Sequence, residues 1–319
     1  MNATKIWRII DLINWGTEHF NNKNITNARK EIEWFLCDIL QCERIDLYLK
    51  FENPLEPNEL LKLKKMIKRR LLGEPFQHII GKAPFYGRDF KINKNVLIPR
   101  PETELIIDIL KKYGKVCNLL DVGTGSGCIA ITCALENLSE TIYATDISTS
   151  AIAIARENII NYKIKNIKLF IHNFFDKKFD KKFDVIVSNP PYITINDLKN
   201  LQPEVKNFDP HIALTDGKDG LSFYRKFAKI FFEIVKPNGA LILEIGGDDY
   251  KNNINTIPII IPITRFPIKG NFLNIGVYSI NRGSTINNEI FLPIGKIYVD
   301  EIIPIINKII IVNVAAIIL

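Results

Sequence analysis

One stretch constrains the fold more than any other. The apolar run Val116–Val122 passes through the turn Gly123-Thr124-Gly125-Ser126-Gly127 into a helix-like run, Cys128–Glu136. A strand that turns on glycines into a helix is the opening unit of a parallel sheet, and it places backbone amides where a nucleotide-like ligand can approach them. The alternation continues with Thr141–Asp146 and then Ser150–Ile160. Ile167–Ile171, Phe183–Ser188 and Ala240–Ile245 supply further strands, and Ser222–Val235 a further helix. This pattern predicts an α/β fold, a parallel sheet with helices on both faces.

The flanking regions differ. Up to about Leu72 the chain reads as helical, with Ile32, Phe35, Leu36, Ile39 and Leu40 spaced along one helix face. A helix is expected from Pro57, a first-turn residue, to Leu72. Its exposed side should carry Lys62, Lys64, Lys65, Lys68, Arg69 and Arg70, either as a solvated face or as a docking face for an acidic partner. From Gly73 to Pro99, Gly81, Pro84, Gly87 and Asn93-Lys94-Asn95 punctuate short extended runs, which predicts a hairpin connector. After Lys251 isoleucine and proline dominate. Ile259–Ile268 and Phe272–Ile280 are expected as strands around a Lys269-Gly270-Asn271 turn, while Ile302–Leu319, broken by Pro304, Asn307, Lys308 and Asn313, is a poor membrane span. The expected divisions are a helical domain 1–72, a hairpin linker 73–99, a sheet domain 100–282 (atypical over 251–282) and an atypical isoleucine-rich tail 283–319.

Composition narrows the class little. With 47% hydrophobic and 24% charged residues the 319-residue chain is ordinary for a soluble protein, and a net charge of +7 fits a solvated basic surface. Five cysteines without metal-finger spacing and four scattered histidines give no metal site to expect. Residues Met1–Phe20 carry Asp11 and Glu18 and lack an apolar signal core, so a cytoplasmic setting is expected.

The glycine turn has G-x-G-x-G spacing followed by Cys128, not the x-x-G ending of the dinucleotide fingerprint. That spacing, with Asp121 at the strand end to help hold an amino-acid moiety, favours S-adenosylmethionine as cofactor. Asp146 ends the next strand, where an acid can bind two ribose hydroxyls or cap the following helix. Asn173 and Phe174 follow a third strand, where the ring either stacks on adenine or packs in the core.

The tetrapeptide Asn189-Pro190-Pro191-Tyr192 directly follows the strand Phe183–Ser188, at the sheet end where ligands bind. Its chemistry suits a poor nucleophile, an amide or exocyclic amine whose lone pair is delocalised. The Asn189 side-chain oxygen and the Pro190 carbonyl can accept its two N–H bonds, aim the lone pair and stabilise developing positive charge. Tyr192 is expected to close over the planar group, and the two prolines stiffen the turn.

Beyond these features, the chain resembles the glutamine N-methyltransferases that modify class 1 peptide chain release factors. The marks are Gly73-Glu74-Pro75, Gln77-His78-Ile79 and Gly81, and the block Leu97-Ile98-Pro99-Arg100-Pro101-Glu102-Thr103-Glu104. Phe208-Asp209-Pro210, Ala213-Leu214, Asp219-Gly220-Leu221 and Tyr224 form another. The resemblance runs from the N-terminal helices to about Ile245. It implies a class I S-adenosylmethionine-dependent methyltransferase fold, a Rossmann-like seven-stranded sheet preceded by a small helical domain and a hairpin linker. It also implies that Gly123, Thr124, Gly125, Ser126, Gly127, Asp146, Phe174 and Asn189 contact the cofactor. Asn189, Pro190, Pro191 and Tyr192 would hold the substrate glutamine of a Gly-Gly-Gln loop, with Asn189, Pro190 and Tyr192 catalytic. The Arg100–Glu104 block would shape the pocket. The implied partner is a release factor, with no stable nucleic-acid or membrane association and a monomeric enzyme. Two departures stand out. Asn173 replaces the family's usual acid, and the usual C-terminal helix and two strands are not recognisable after the Glu244 strand. The alternatives are an adenine or guanine amino-methyltransferase and a binding-only remnant with a degraded C-terminus.

Overall fold

The computed structural model describes residues 6–176 and 178–246 in full, and the backbone strands Thr256–Thr264, Phe272–Asn281 and Ser284–Pro293. The chain divides into two compact units, residues 1–82 and 83–319.

In the first unit, helices α1 (Ile9–Asn21), α2 (Ala28–Leu40), α3 (Arg44–Leu49), α4 (Pro57–Leu71) and α5 (Phe76–Ile80) enclose Ile13, Phe20, Ile32, Phe35, Leu36 and Leu47. Gly16 lets α1 approach α2, since a Cβ there would stand 2.8 Å from the Ile32 Cδ1. Two expectations need correction. Arg70 is not on the exposed side of α4. It is buried, its Nε 2.7 Å from Glu31 Oε2, because it shares the inward stripe of Leu63 and Ile67. The segment after Gly73 is not wholly extended either. Phe76 and Ile79 are buried one turn apart on α5, and Gly81, at φ +73°, ends that helix instead of a strand.

The second unit opens with the hairpin β1 (Lys82–Phe85) and β2 (Arg88–Lys91). A 3-10 turn at Pro101–Thr103 leads into α6 (Glu104–Tyr113). Then come β3 (Val116–Val122), α7 (Cys128–Leu135), β4 (Ser139–Asp146), α8 (Thr149–Asn161), β5 (Ile167–Ile171) and β6 (Phe183–Ser188). The short helices α9 (Pro203–Phe208) and α10 (His211–Leu214) precede α11 (Ser222–Ile234) and β7 (Val235–Gly246). Strands β8 (Thr256–Thr264), β9 (Phe272–Asn281) and β10 (Ser284–Pro293) complete the sheet, in the order β10-β9-β8-β7-β6-β3-β4-β5.

The five strands β5-β4-β3-β6-β7 are parallel. Their side chains alternate between two cores, as the period of two requires. Leu119, Val185, Val187 and Ile242 pack with α6 and α7, whereas Leu120, Ile186, Leu241 and Leu243 pack with α11. Helices therefore cover both faces, as the sequence predicts.

The edge beyond β7 differs from the seven-stranded expectation. β8, β9 and β10 form an antiparallel meander, which makes eight strands among the described residues. The reason is length. A parallel return needs a crossover of roughly a dozen residues or more, and only 247–255 separate β7 from β8. The expected Lys269-Gly270-Asn271 turn, residues 265–268 and the Ile302–Leu319 stretch lie outside the described residues. Among the described residues no helix is long and apolar enough to cross a membrane.

Candidate active site

The chain runs outward from β3 through β4 to β5 and then returns to the other side of β3 as β6. That reversal leaves a crevice at the strands' carboxyl ends. It holds a cavity of about 400 Å³, within the size range of small-molecule sites, about 300–1,000 Å³. Its walls include Gly123, Thr124, Gly125, Ser126, Asp146, Asn173, Phe174, Asn189, Pro190 and Pro191. The structure thus brings together in one cavity residues that the sequence reading singled out at four separate strand ends.

The glycine turn is held from behind. The Gly123 and Thr124 amides both donate to the Thr145 carbonyl, at 2.9 and 2.8 Å. Gly123 and Gly125 have φ of +76° and +56°, and a Cβ built on either meets nothing within 4 Å. Both face open space that a ligand can fill, in a backbone conformation that glycine adopts without strain. Asp146 Oδ2 accepts the Gly125 amide at 2.9 Å and Oδ1 accepts the Ser148 amide at 2.9 Å. Its role as helix cap passes to Ser148, whose hydroxyl accepts the Ala151 amide at 3.1 Å. Burial raises the Asp146 carboxyl above its ordinary value, against the pull of those amides.

Three expected site residues do not line the cavity. Asp121 is wholly buried beneath the turn, where it accepts the Thr124 hydroxyl at 2.7 Å. Burial pushes its carboxyl up to about 7, opposed by that hydrogen bond. It braces the glycine turn from below, so a direct grip on a ligand's amino-acid part is not what its position provides. Gly127 starts α7 at φ +82°, packed against Ile131 and Ala155, and serves helix–helix approach. Tyr192 is half-buried between two apolar clusters, so its ring does not stand over the cavity.

Phe174 packs in the core and also reaches the cavity. It is only 4% exposed, its ring 4.4 Å from Phe227 and nearly parallel to Phe223, yet it forms part of the wall. Phe175 and Phe223, which the sequence reading passed over, also line the site. The adjacent aromatic pair Phe174-Phe175 was the available signal. Asn173 turns its amide to Asp176 and accepts the Phe175 amide, which fixes this loop.

The tetrapeptide is locked at both ends. The Ser188 hydroxyl donates to the Val122 carbonyl at 2.7 Å, and the Ile193 amide to the Leu214 carbonyl at 2.9 Å. Asn189 Nδ2 donates to the Thr103 hydroxyl at 3.1 Å, and that hydroxyl lies 2.7 Å from Glu244 Oε2. Arg100, on the cavity wall, pairs with the buried Asp209 at 2.9 Å. Burial raises the Asp209 carboxyl to about 6, and Arg100 pulls it down. The Arg100–Glu104 block, given no specific role from sequence, therefore contributes two polar contacts at the wall. Behind the glycine turn, Asn158 of α8 donates to the Ser126 carbonyl and bonds both backbone groups of Lys91. Among the described residues no group of histidine, cysteine and carboxylate side chains is placed to hold a metal ion.

Comparison with known proteins adds the following. Residues 11–81 match the family described as the PrmC N-terminal domain, and residues 101–202 the methyltransferase small domain. The release factor glutamine methyltransferase of Geobacter sulfurreducens is 39% identical over 243 residues, covering 76% of this chain and 85% of its own. That of Bacillus subtilis is 37% identical over 250 residues, covering 75% and 85%. A bifunctional methyltransferase of Rickettsia typhi is 37% identical over 262 residues, covering 75% of this chain and 51% of its own.

Proposed function

The chain belongs to the release factor glutamine methyltransferases, and from that premise we propose that it methylates the side-chain amide nitrogen of a glutamine. The donor is S-adenosylmethionine and the target is the Gly-Gly-Gln motif of class 1 peptide chain release factors. One observation carries the reading: Asn189 and Pro190 share a cavity with the open glycine turn and Asp146.

The residues present fit that cofactor. The space over Gly123 and Gly125 accepts a ligand against the backbone. Asp146 has carboxylate lone pairs left for ribose hydroxyls, and Phe174 and Phe175 supply apolar wall for a planar base. When bound, the cofactor supplies an electrophilic methyl group on a positively charged sulfur.

The protein's own contribution is orientation. The Asn189 side-chain oxygen and the Pro190 carbonyl accept the two hydrogens of the glutamine amide, which turns the nitrogen lone pair toward the methyl carbon. With the methyl donor bound, the same two oxygens would stabilise the positive charge that grows on the glutamine nitrogen as it takes the methyl group from sulfur. The methylated nitrogen is then acidic and releases one proton through those acceptors to water. Pro190 and Pro191 keep both acceptors in place without motion of the turn.

The test is mass-spectrometric mapping of a purified release factor incubated with the protein and S-adenosylmethionine. One added methyl on the Gly-Gly-Gln glutamine is expected. Cofactor binding without any methylated glutamine would overturn the proposal.

A further inference from the structure

Thr103 has one proton to give and two polar neighbours. Its Oγ1 lies 2.7 Å from Glu244 Oε2 and 3.1 Å from Asn189 Nδ2. Thr103 is 3% exposed and Glu244 fully buried, so water does not compete for these bonds. The threonine hydroxyl donates its proton to Glu244 Oε2. The hydroxyl oxygen can then only accept from Asn189, which must present its NH2 group to Thr103. That leaves the Asn189 side-chain oxygen as the atom available to a substrate in the cavity this residue lines.

That choice matters because an asparagine amide has nearly the same shape in either orientation. Turned the other way, Asn189 would set its own N–H donors against the N–H donors of a substrate amide, and the orienting hydrogen bond would be lost.

We propose that Thr103 and Glu244 are positioning residues that fix the amide polarity of Asn189, with Glu244 setting the direction of the threonine proton. The inference rests on the glutamine-methylation reading above. It adds that the productive orientation of the catalytic asparagine is written two residues away from the substrate. The supports of the pair are themselves anchored, since the Tyr224 hydroxyl donates to the Glu244 backbone carbonyl at 2.8 Å.

The experiment compares Thr103→Val, Thr103→Ser and Glu244→Gln with wild type in steady-state methylation of a release factor, alongside cofactor titration and thermal unfolding. In Thr103→Val the Asn189 NH2 group faces a methyl, and a buried donor without a partner is costly enough to favour the flipped amide. Turnover should fall about 10- to 100-fold, with the substrate KM and the cofactor Kd within about twofold of wild type. Thr103→Ser keeps the hydroxyl and should stay within about threefold. Glu244→Gln can donate to Thr103 and release the threonine proton toward Asn189, so it should lose turnover in the same way as Thr103→Val. A merely structural role would instead lower the unfolding temperature and raise KM and Kd together. Unchanged turnover in Thr103→Val overturns the proposal. If that variant loses cofactor binding, unchanged turnover in Glu244→Gln, or collapse in Thr103→Ser, overturns it instead. Wild-type methylation of the glutamine is scored separately, so failure of the functional reading is distinguishable from failure of the positioning pair.

Discussion

Replacing Gly220 by alanine tests whether the loop before α11 holds the Asn189–Tyr192 turn in place. Gly220 has φ of +75°, and a Cβ built on it would stand 2.1 Å from the Tyr192 carbonyl oxygen and 2.8 Å from its carbon. Non-bonded carbon and oxygen need about 3.2 Å or more, so one of two backbones must retreat by about 1 Å. Neither yields easily. The Asp216 carboxylate holds the Lys218, Gly220 and Ser222 amides at 2.8, 3.0 and 3.0 Å. On the other side, Ile193 is bonded to Leu214 at 2.9 Å. The left-handed conformation alone costs a residue with a Cβ about 1–2 kcal/mol, and relieving the overlap adds about 1–3 kcal/mol of strain. Total destabilisation of about 2–5 kcal/mol follows. Two prolines join Tyr192 stiffly to Asn189, so a displacement of about 1 Å is transmitted to the acceptors and should reduce turnover about 10²-fold. The glycine turn on β3 is not involved, and cofactor affinity should stay near wild type. Denaturant unfolding, cofactor titration and single-turnover methylation read the three quantities. A variant within about 0.5 kcal/mol and threefold of wild type would refute the view that Gly220 spaces the tetrapeptide.

Two further outcomes follow from buried charges. Glu31→Ala removes the carboxylate paired with the buried Arg70 guanidinium and should cost about 3–5 kcal/mol in denaturant unfolding. Glu31→Ala combined with Arg70→Met should recover most of that loss. Burial raises the Asp121 carboxyl from its ordinary 3.8 to about 7, so the folded state favours the protonated form. Its contribution to stability is complete below about pH 4 and is lost as pH rises through about 7. Asp121→Asn keeps an acceptor for Thr124 and should flatten that decline, checked by unfolding midpoints at pH 4, 5.5 and 8.

What the sequence made legible was periodic or positional. Strands β3, β5 and β6 begin and end where apolar runs do, and the tetrapeptide and glycine turn fall at strand ends, where any parallel sheet puts its ligand. What it concealed depended on direction. Asp121 was placed at the right strand end, but a residue there can point up to the crevice or down beneath the turn, and Thr124 holds it down. Arg70 was grouped with its basic neighbours by composition, although its spacing from Leu63 and Ile67 already put it on the inward stripe. Thr103 and Glu244 lie 141 residues apart, and no local pattern joins them. Strand register brings Asn189 beside Glu244, and the 3-10 turn at Pro101–Thr103 brings Thr103 to both.

That register also explains why an unusual sheet edge is compatible with an ordinary site. Ser188 of β6 is in register with Leu243 of β7, so the next residues of these parallel strands, Asn189 and Glu244, emerge side by side at the carboxyl end. A slip of one residue would send Glu244 to the opposite face of the sheet. The register is set at the far end of the strands, where Phe183 opposes Val235 but Val185 opposes Ala240, an irregularity that takes up the extra residues of β7. Gly239 sits in that irregularity, and a Cβ there would stand 2.6 Å from the Asp184 carbonyl oxygen. The other edge of β7 needs only a partner for its backbone groups, and antiparallel β8 supplies one, with Pro258 opposite Glu244. The register of Asn189 and Glu244 is thus fixed by β6, β7 and the bulge between them, whereas Thr103 is delivered by the 3-10 turn at Pro101–Thr103, which also lies against β8.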